Sequence, residues 1–233
     1  MYELIISNYR KIEQTMIDTA IACGRNPDDI TLIAVSKTKP LSCIEDLISI
    51  HVNDFGENKV QELCDKYENV SKPVNFHLIG HLQTNKVKYV VDKACLIHSL
   101  DSLKLAKEIQ KEASKRNIVS EVLIEVNVAN EESKFGLSVE EVLPFLEEIS
   151  TYPNIHVNGL MTIAPFVDNP EENRVHFKRL KQLSLDIISK NIDNIDMNVL
   201  SMGMTNDYKV AIEEGATMIR VGTAIFGARN YSI

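Results

Sequence analysis

Residues 198–227 read NVLSMGMTNDYKVAIEEGATMIRVGTAIFG. The stretch holds one unit twice. An apolar run at 197–201 (MNVLS) reaches a glycine-bearing turn and gives way to a polar segment of helical length, 205–214. A second apolar run at 217–221 (TMIRV) ends at Gly222-Thr223 and leads into a short helix. Strand followed by helix, repeated, implies parallel strands, because a crossover must carry the chain back to the same end of the sheet.

The same alternation runs outward to the start of the chain. Further apolar runs lie at 30–36, 74–79, 95–98, 121–128 and 155–163, with a weaker one at 51–56. Between them, 41–50, 58–69, 84–92, 101–116, 138–150 and 170–190 have helical length and periodicity. The fold class is therefore α/β with a parallel sheet. An open doubly wound sheet and a closed (β/α)8 barrel both fit. Eight unbroken units favour the closed, TIM-type barrel. No glycine-rich GxGxxG follows the first strand, which weighs against the dinucleotide-binding alternative. No linker divides the chain, so 1–233 reads as a single domain. An extra helix is expected at 2–23, where Ile5, Tyr9, Ile12, Met16 and Ala20 recur on one face, with Gly24 as its C-cap.

Composition narrows the function. The formal charge is −8, the wrong sign for a nucleic acid partner. No apolar run reaches the roughly 18 residues that span a bilayer, and the N-terminus lacks the pattern of a signal peptide. The four cysteines form no CxxC pair, which fits reduced thiols and a cytoplasmic setting. His77 and His81 are four apart, but a strand end lies between them, so a helical zinc pair is not expected. Helix 58–69 reads as a solvated face.

In a barrel of this kind the chemistry gathers at the C-terminal ends of the strands. The first strand ends in Ser36-Lys37, the second in Gly56-Glu57-Asn58 and the sixth in Met161-Thr162. The turns after strands seven and eight are the usual place for a phosphate. Ser201 and Gly203 lie in one, with Thr205 as the expected cap of the next helix. Gly222 and Thr223 lie in the other, where backbone N–H groups at a helix start would point at an anion. Arg220 sits on the last strand, facing the same way as Met218 and Gly222. A buried guanidinium needs a partner, either Glu125 on strand five or a ligand acceptor. Lys37 at a strand end beside an anion site suits a phosphorylated aldehyde such as pyridoxal phosphate. A protonated lysine clamping a sugar phosphate is the other possibility. Lys39 lies beyond the strand, before Pro40.

The motifs AVSKTKP, FGENKVQE, FHLIGHLQTNK, EVNVANEESKFGL, GLMTIAP and LSMGMTNDYKVAIEEGATMIRVGTAIFGAR, in this order, resemble the pyridoxal phosphate homeostasis proteins across nearly the whole chain. The resemblance implies a barrel related to the N-terminal domain of alanine racemase, a fold type III binder of pyridoxal phosphate. It implies a Schiff base on Lys37. Ser201, Gly203, Gly222 and Thr223 would hold the phosphate, Arg220 would face the pyridine nitrogen, and Asn58 would lie beside the ring. His77 and Met161 fall in matching motifs without an assigned role.

An arginine at the ring nitrogen keeps its proton and weakens the ring as an electron sink. A racemase also needs acid–base groups on both faces of the reacting carbon. In the racemases resembled here one comes from a second domain, which the chain is not expected to have. The resemblance therefore implies a carrier that holds pyridoxal 5'-phosphate for vitamin B6 homeostasis, with no catalytic residues, no metal and apo-enzymes as recipients. A monomer is expected. A weak amino-acid racemase is the second reading and a sugar-phosphate barrel enzyme the third.

Overall fold

The computed structural model describes residues 2–131 and 133–227. Eight strands occur: β1 (Thr31–Val35), β2 (Asp54–Glu57), β3 (Asn75–Leu78), β4 (Ala94–Leu100), β5 (Ser120–Glu125), β6 (Ile155–Met161), β7 (Ile195–Met204) and β8 (Met218–Val221). They pair in chain order, all parallel, and β8 pairs back onto β1. At that seam Thr31, Leu32, Ile33 and Ala34 face Met218, Ile219, Arg220 and Val221. The expected closed barrel forms.

The helices follow as expected: α1 (Tyr2–Ala22), α2 (Leu41–Ile48), α3 (Val60–Asn69), α4 (Val87–Val90), α5 (Leu103–Arg116), α6 (Val139–Ile149), α7 (Arg174–Ile188), α8 (Tyr208–Glu213) and α9 (Thr223–Phe226). The main core lies between the outer faces of the strands and these helices. Inside the bore, Ile33, Val35 and Ile79 form one small apolar group, and Leu96, Leu123 and Met161 another. Met218 packs against both. The bore is thus filled rather than open, as in other barrels of this size.

The N-terminal helix buries the five residues its periodicity marks. It stops at Gly24, whose φ of 75° is a conformation that glycine adopts without strain. The Arg25 N–H then closes on the Ala20 carbonyl at 2.8 Å. The Arg25 guanidinium donates to the carbonyls of Ile212 and Ala216 at 2.7 Å each, and the Asn8 amide to Ile225 at 3.0 Å. The extra helix therefore binds the last two units to the outside of the barrel.

Several boundaries differ from expectation, each for a local reason. β2 begins at Asp54 rather than 51, because His51 takes a positive φ of 70° and turns the chain. The run at 121–128 ends as a strand at Glu125, and Val126 makes only an isolated bridge to Leu137. Segment 84–92 divides into a 3-10 turn at 84–86 and the short α4. β7 runs on to Met204, so the following helix starts at Tyr208 and Thr205 is not its cap. Asp207 takes over the turn: its carboxylate accepts from the Met204 N–H at 2.7 Å and from the Asn173 amide at 2.8 Å.

Candidate cofactor-binding site

Lys37 stands two residues past β1, partly buried. Its neighbours are tied down on both sides. The Ser36 carbonyl accepts from Lys66 Nζ at 2.8 Å, and the Ser36 hydroxyl donates to Glu57 Oε1 at 2.5 Å. The Thr38 N–H donates to Glu62 Oε1 at 2.6 Å. Lys66 Nζ lies 2.7 Å from both carboxylates. One lysine on α3 and two glutamates thereby fix the turn that carries Lys37. The face of helix 58–69 that holds Lys66 is a buried ion cluster, not a solvated surface: Lys66 is 4% exposed and Glu57 0%. Burial pushes the Glu57 carboxyl up from its usual range, against the pull of Lys66. Spacing could not reveal this, since a lysine and glutamate four apart on a helix are common on surfaces.

Arg220 lies inside the barrel, 4% exposed. It donates to the Ser201 hydroxyl at 2.6 Å and to the Thr162 carbonyl at 2.8 Å. Among the described residues no carboxylate forms an ion pair with it. Glu125, the expected protein partner, acts on it only through space. Burial lowers the Arg220 pKa to about 10, against Asp207 and Glu125, so it stays charged at neutral pH. Glu125 itself is pushed up to about 7 by burial and by Asp101, against Arg220, and one of its carboxyl oxygens has no hydrogen-bond partner.

A cavity of about 450 Å³ opens at the C-terminal ends of the strands. Lys37, Asn58, Arg220, Gly222 and Thr223 line it, joined by Thr205 and Asn206. Ile79, Ile163, Phe166 and Met204 supply apolar wall. The volume is that of a small-molecule site. The structure thus brings together five of the seven residues singled out from sequence. The other two stand behind the wall. The Ser201 side chain is fully buried and turned inward to Arg220 and to His98 Nδ1, 2.9 Å away. Gly203 has φ +88°, and a Cβ there would come within 2.5 Å of Ala211 Cβ, so its bare backbone lets α8 lie against β7.

Other residues with open roles are also placed. His77 is buried inside the bore, within hydrogen-bonding distance of Asp54 and His98. Met161 belongs to the interior apolar group. His81 stacks on Phe135, with ring centroids 3.9 Å apart, and does not pair with His77. Lys39 donates to the Phe226 and Gly227 carbonyls at 3.0 and 3.3 Å and ties the first strand's loop to the end of α9. His98, Thr205 and Asn206 were not legible as site residues. His98 sits in an apolar run that reads as ordinary strand.

Residues 19–230 match the family described as alanine racemase, N-terminal domain. A pyridoxal phosphate homeostasis protein of Aquifex aeolicus is 47% identical over 209 residues, covering 89% of this chain and 91% of that one. The chain belongs to the pyridoxal phosphate homeostasis protein family. A solved structure, PipY of Synechococcus elongatus with pyridoxal phosphate (PLP) bound, superimposes with a TM-score of 0.80 at 29% identity, covering 91% of this chain and 100% of that one. An alanine racemase of Clostridium difficile shares the fold, with a TM-score of 0.73 at 14% identity, and the match covers 94% of this chain and 57% of that one. No helix among the described residues is long and apolar enough to cross a membrane.

Proposed function

We propose that this protein binds pyridoxal 5'-phosphate through a covalent bond from Lys37 and serves intracellular vitamin B6 homeostasis as a carrier. The observation that carries the reading is that Lys37 and the buried, charged Arg220 face one cavity of about 450 Å³ at the barrel mouth. The donor set fits this cofactor. An amine is present for the aldehyde, a guanidinium without a carboxylate contact for the ring, and Gly222 and Thr223 for the phosphate. Asn58 lies on the same wall. Ser201 and Gly203 support the phosphate loops from behind, Ser201 through Arg220 and Gly203 by admitting α8.

When bound, the cofactor supplies a reactive aldehyde and a conjugated ring. The protein's own residues hold and orient it. The ion cluster around Lys66 keeps the Lys37 turn rigid, and Ile79, 8% exposed, supplies buried apolar wall. Arg220 retains its proton beside the ring, which disfavours a protonated pyridine and hence carbanion chemistry. That favours a carrier over a catalyst, in keeping with relatives named as homeostasis proteins. On this reading the whole chain acts as one domain, works as a monomer in the cytoplasm, and hands the cofactor to apo-enzymes.

The test is the visible absorbance of purified protein incubated with pyridoxal phosphate, followed by borohydride reduction and mass spectrometry. Wild type should gain a band and, after reduction, a mass adduct on Lys37. Lys37→Ala should lose both. An unmodified wild type, or an adduct unchanged in Lys37→Ala, overturns the assignment. An assay of racemisation on common amino acids separates carrier from enzyme, and sustained turnover would favour the enzyme.

A further inference from the structure

The turn that carries Lys37 contains a strained residue. The Lys39 N–H donates to the Ser36 carbonyl at 3.0 Å, so Lys37 and Thr38 are the two central residues of a β-turn. Thr38 takes a φ of 63°. Among the described residues the other non-glycine residues with positive φ are His51 and four asparagines, types that enter this region more readily. Thr38 is β-branched, and its Cβ makes the left-handed conformation costly. Glycine is the residue such a position favours. The Thr38 side chain is exposed, so packing does not hold it there.

Strain of this kind persists only where the surroundings impose it. Before Thr38, the Ser36 N–H donates to the Gly56 carbonyl at 3.0 Å, and the Ser36 carbonyl also accepts from Lys66 Nζ at 2.8 Å. After it, Lys39 Nζ donates to the Phe226 and Gly227 carbonyls. These contacts fix the two ends of the turn and do not choose its form. The commonest turn keeps both central residues at negative φ. It differs from a turn with positive φ at the second by rotation of the peptide between them. Here that peptide joins Lys37 to Thr38. Its N–H donates to Glu62 Oε1 at 2.6 Å, and the same oxygen lies 2.7 Å from Lys66 Nζ. Glu62 therefore grips the one group whose rotation would relieve the strain. That rotation would change ψ of Lys37 by about 150°, and the rotamers open to a side chain depend on its own φ and ψ.

We propose that Glu62 is a positioning residue for Lys37: by accepting from the Thr38 N–H it holds the turn in its positive-φ form and keeps the lysine amine aimed into the cavity. The inference rests on the function proposed above. The bond at stake forms when the neutral Lys37 amine adds to the aldehyde carbon, and the aldehyde oxygen leaves as water with both amine protons. Without Glu62 the turn relaxes. About one molecule in ten keeps the competent form, and the apparent affinity for pyridoxal phosphate falls by that fraction.

The test uses the full chain and two ligands: pyridoxal phosphate, and pyridoxine phosphate, which has an alcohol in place of the aldehyde. Glu62→Ala should lose about tenfold in affinity for the aldehyde and stay within about twofold for the alcohol, which makes no bond to Lys37. Adding Thr38→Gly should restore the aldehyde affinity, because glycine takes positive φ without Glu62. Glu62→Gln keeps an acceptor for the Thr38 N–H and should remain within about threefold of wild type. An unchanged aldehyde affinity in Glu62→Ala, an equal loss for both ligands, or no recovery with Thr38→Gly overturns the proposal. Thr38→Pro, at an exposed position, asks the same question without touching the ion cluster. Proline lacks the N–H and holds φ at about −65°, so this variant should also lose aldehyde affinity selectively, and full retention counts against the proposal.

A second readout needs no cofactor. A strong nuclear Overhauser effect between the Thr38 N–H and its own Hα marks a positive φ. It should be strong in wild type and in Glu62→Gln and weak in Glu62→Ala. Wild-type strength in Glu62→Ala overturns the positioning role whether or not the protein binds pyridoxal phosphate. Absence of binding of both ligands to wild type would count against the proposed function, with the NMR result still deciding what Glu62 does to the turn.

Discussion

Among the described residues, Lys66 and Arg220 are buried positive charges, and the barrel treats them differently. Outside the wall, Lys66 meets two carboxylates and a carbonyl. Inside, Arg220 meets a hydroxyl and a carbonyl, and no carboxylate touches it among the described residues. The first cluster supplies its own counter-charge and serves rigidity. The second leaves its charge facing a cavity, where a ligand can use it. Burial alone therefore does not mark a binding residue; what marks it is burial without a counter-ion beside an opening.

The largest expected effect breaks the self-contained side. Lys66→Met leaves Glu57 buried and unpaired, which should cost about 3–5 kcal/mol and lower the melting temperature by on the order of 10 °C. Calorimetry checks this. Adding Glu57→Leu should recover most of the loss; if it does not, the cluster does more than neutralise itself. Next comes Gly203→Ala, which puts a methyl against Ala211 and Tyr208 at a φ of +88°. Denaturant unfolding should show a loss of roughly 2–4 kcal/mol.

Glu125 sharpens the other side. Its pKa is raised from 4.5 to about 7. The folded protein keeps a proton that the unfolded chain releases, so stability falls as pH rises from about 4.5 to 7. Glu125→Gln should match wild type at the acid end and exceed it by about 3 kcal/mol at pH 8, read from unfolding curves at both pH values. The smallest effect is Lys39→Met, which loses two carbonyl contacts at the end of α9. It should cost about 1 kcal/mol and leave the borohydride adduct on Lys37 intact.

The barrel was legible because strand and helix periods are local. Each of the eight runs formed a strand, and the five apolar residues of α1 are all buried. The site was legible where a strand end carried an unusual residue, as with Lys37 and Arg220. It was not legible where partners are brought together by closure. His98 and Ser201 touch across the bore although far apart in sequence, and nothing in HSL or LSM announces it. The same holds for Thr205, which reads as a helix cap until β7 runs past it and Asp207 takes the turn.

The seam between β1 and β8 has a consequence for when the protein becomes useful. Lys37 lies on one side of it and Gly222 and Thr223 on the other. Residues 31–34 must find residues 218–221, the most distant pairing in the sheet, and closing so long a loop is entropically slow. A nascent chain on the ribosome carries the lysine early but cannot assemble the cavity until its last strand has emerged. A reactive aldehyde is thus offered a home only by a finished molecule.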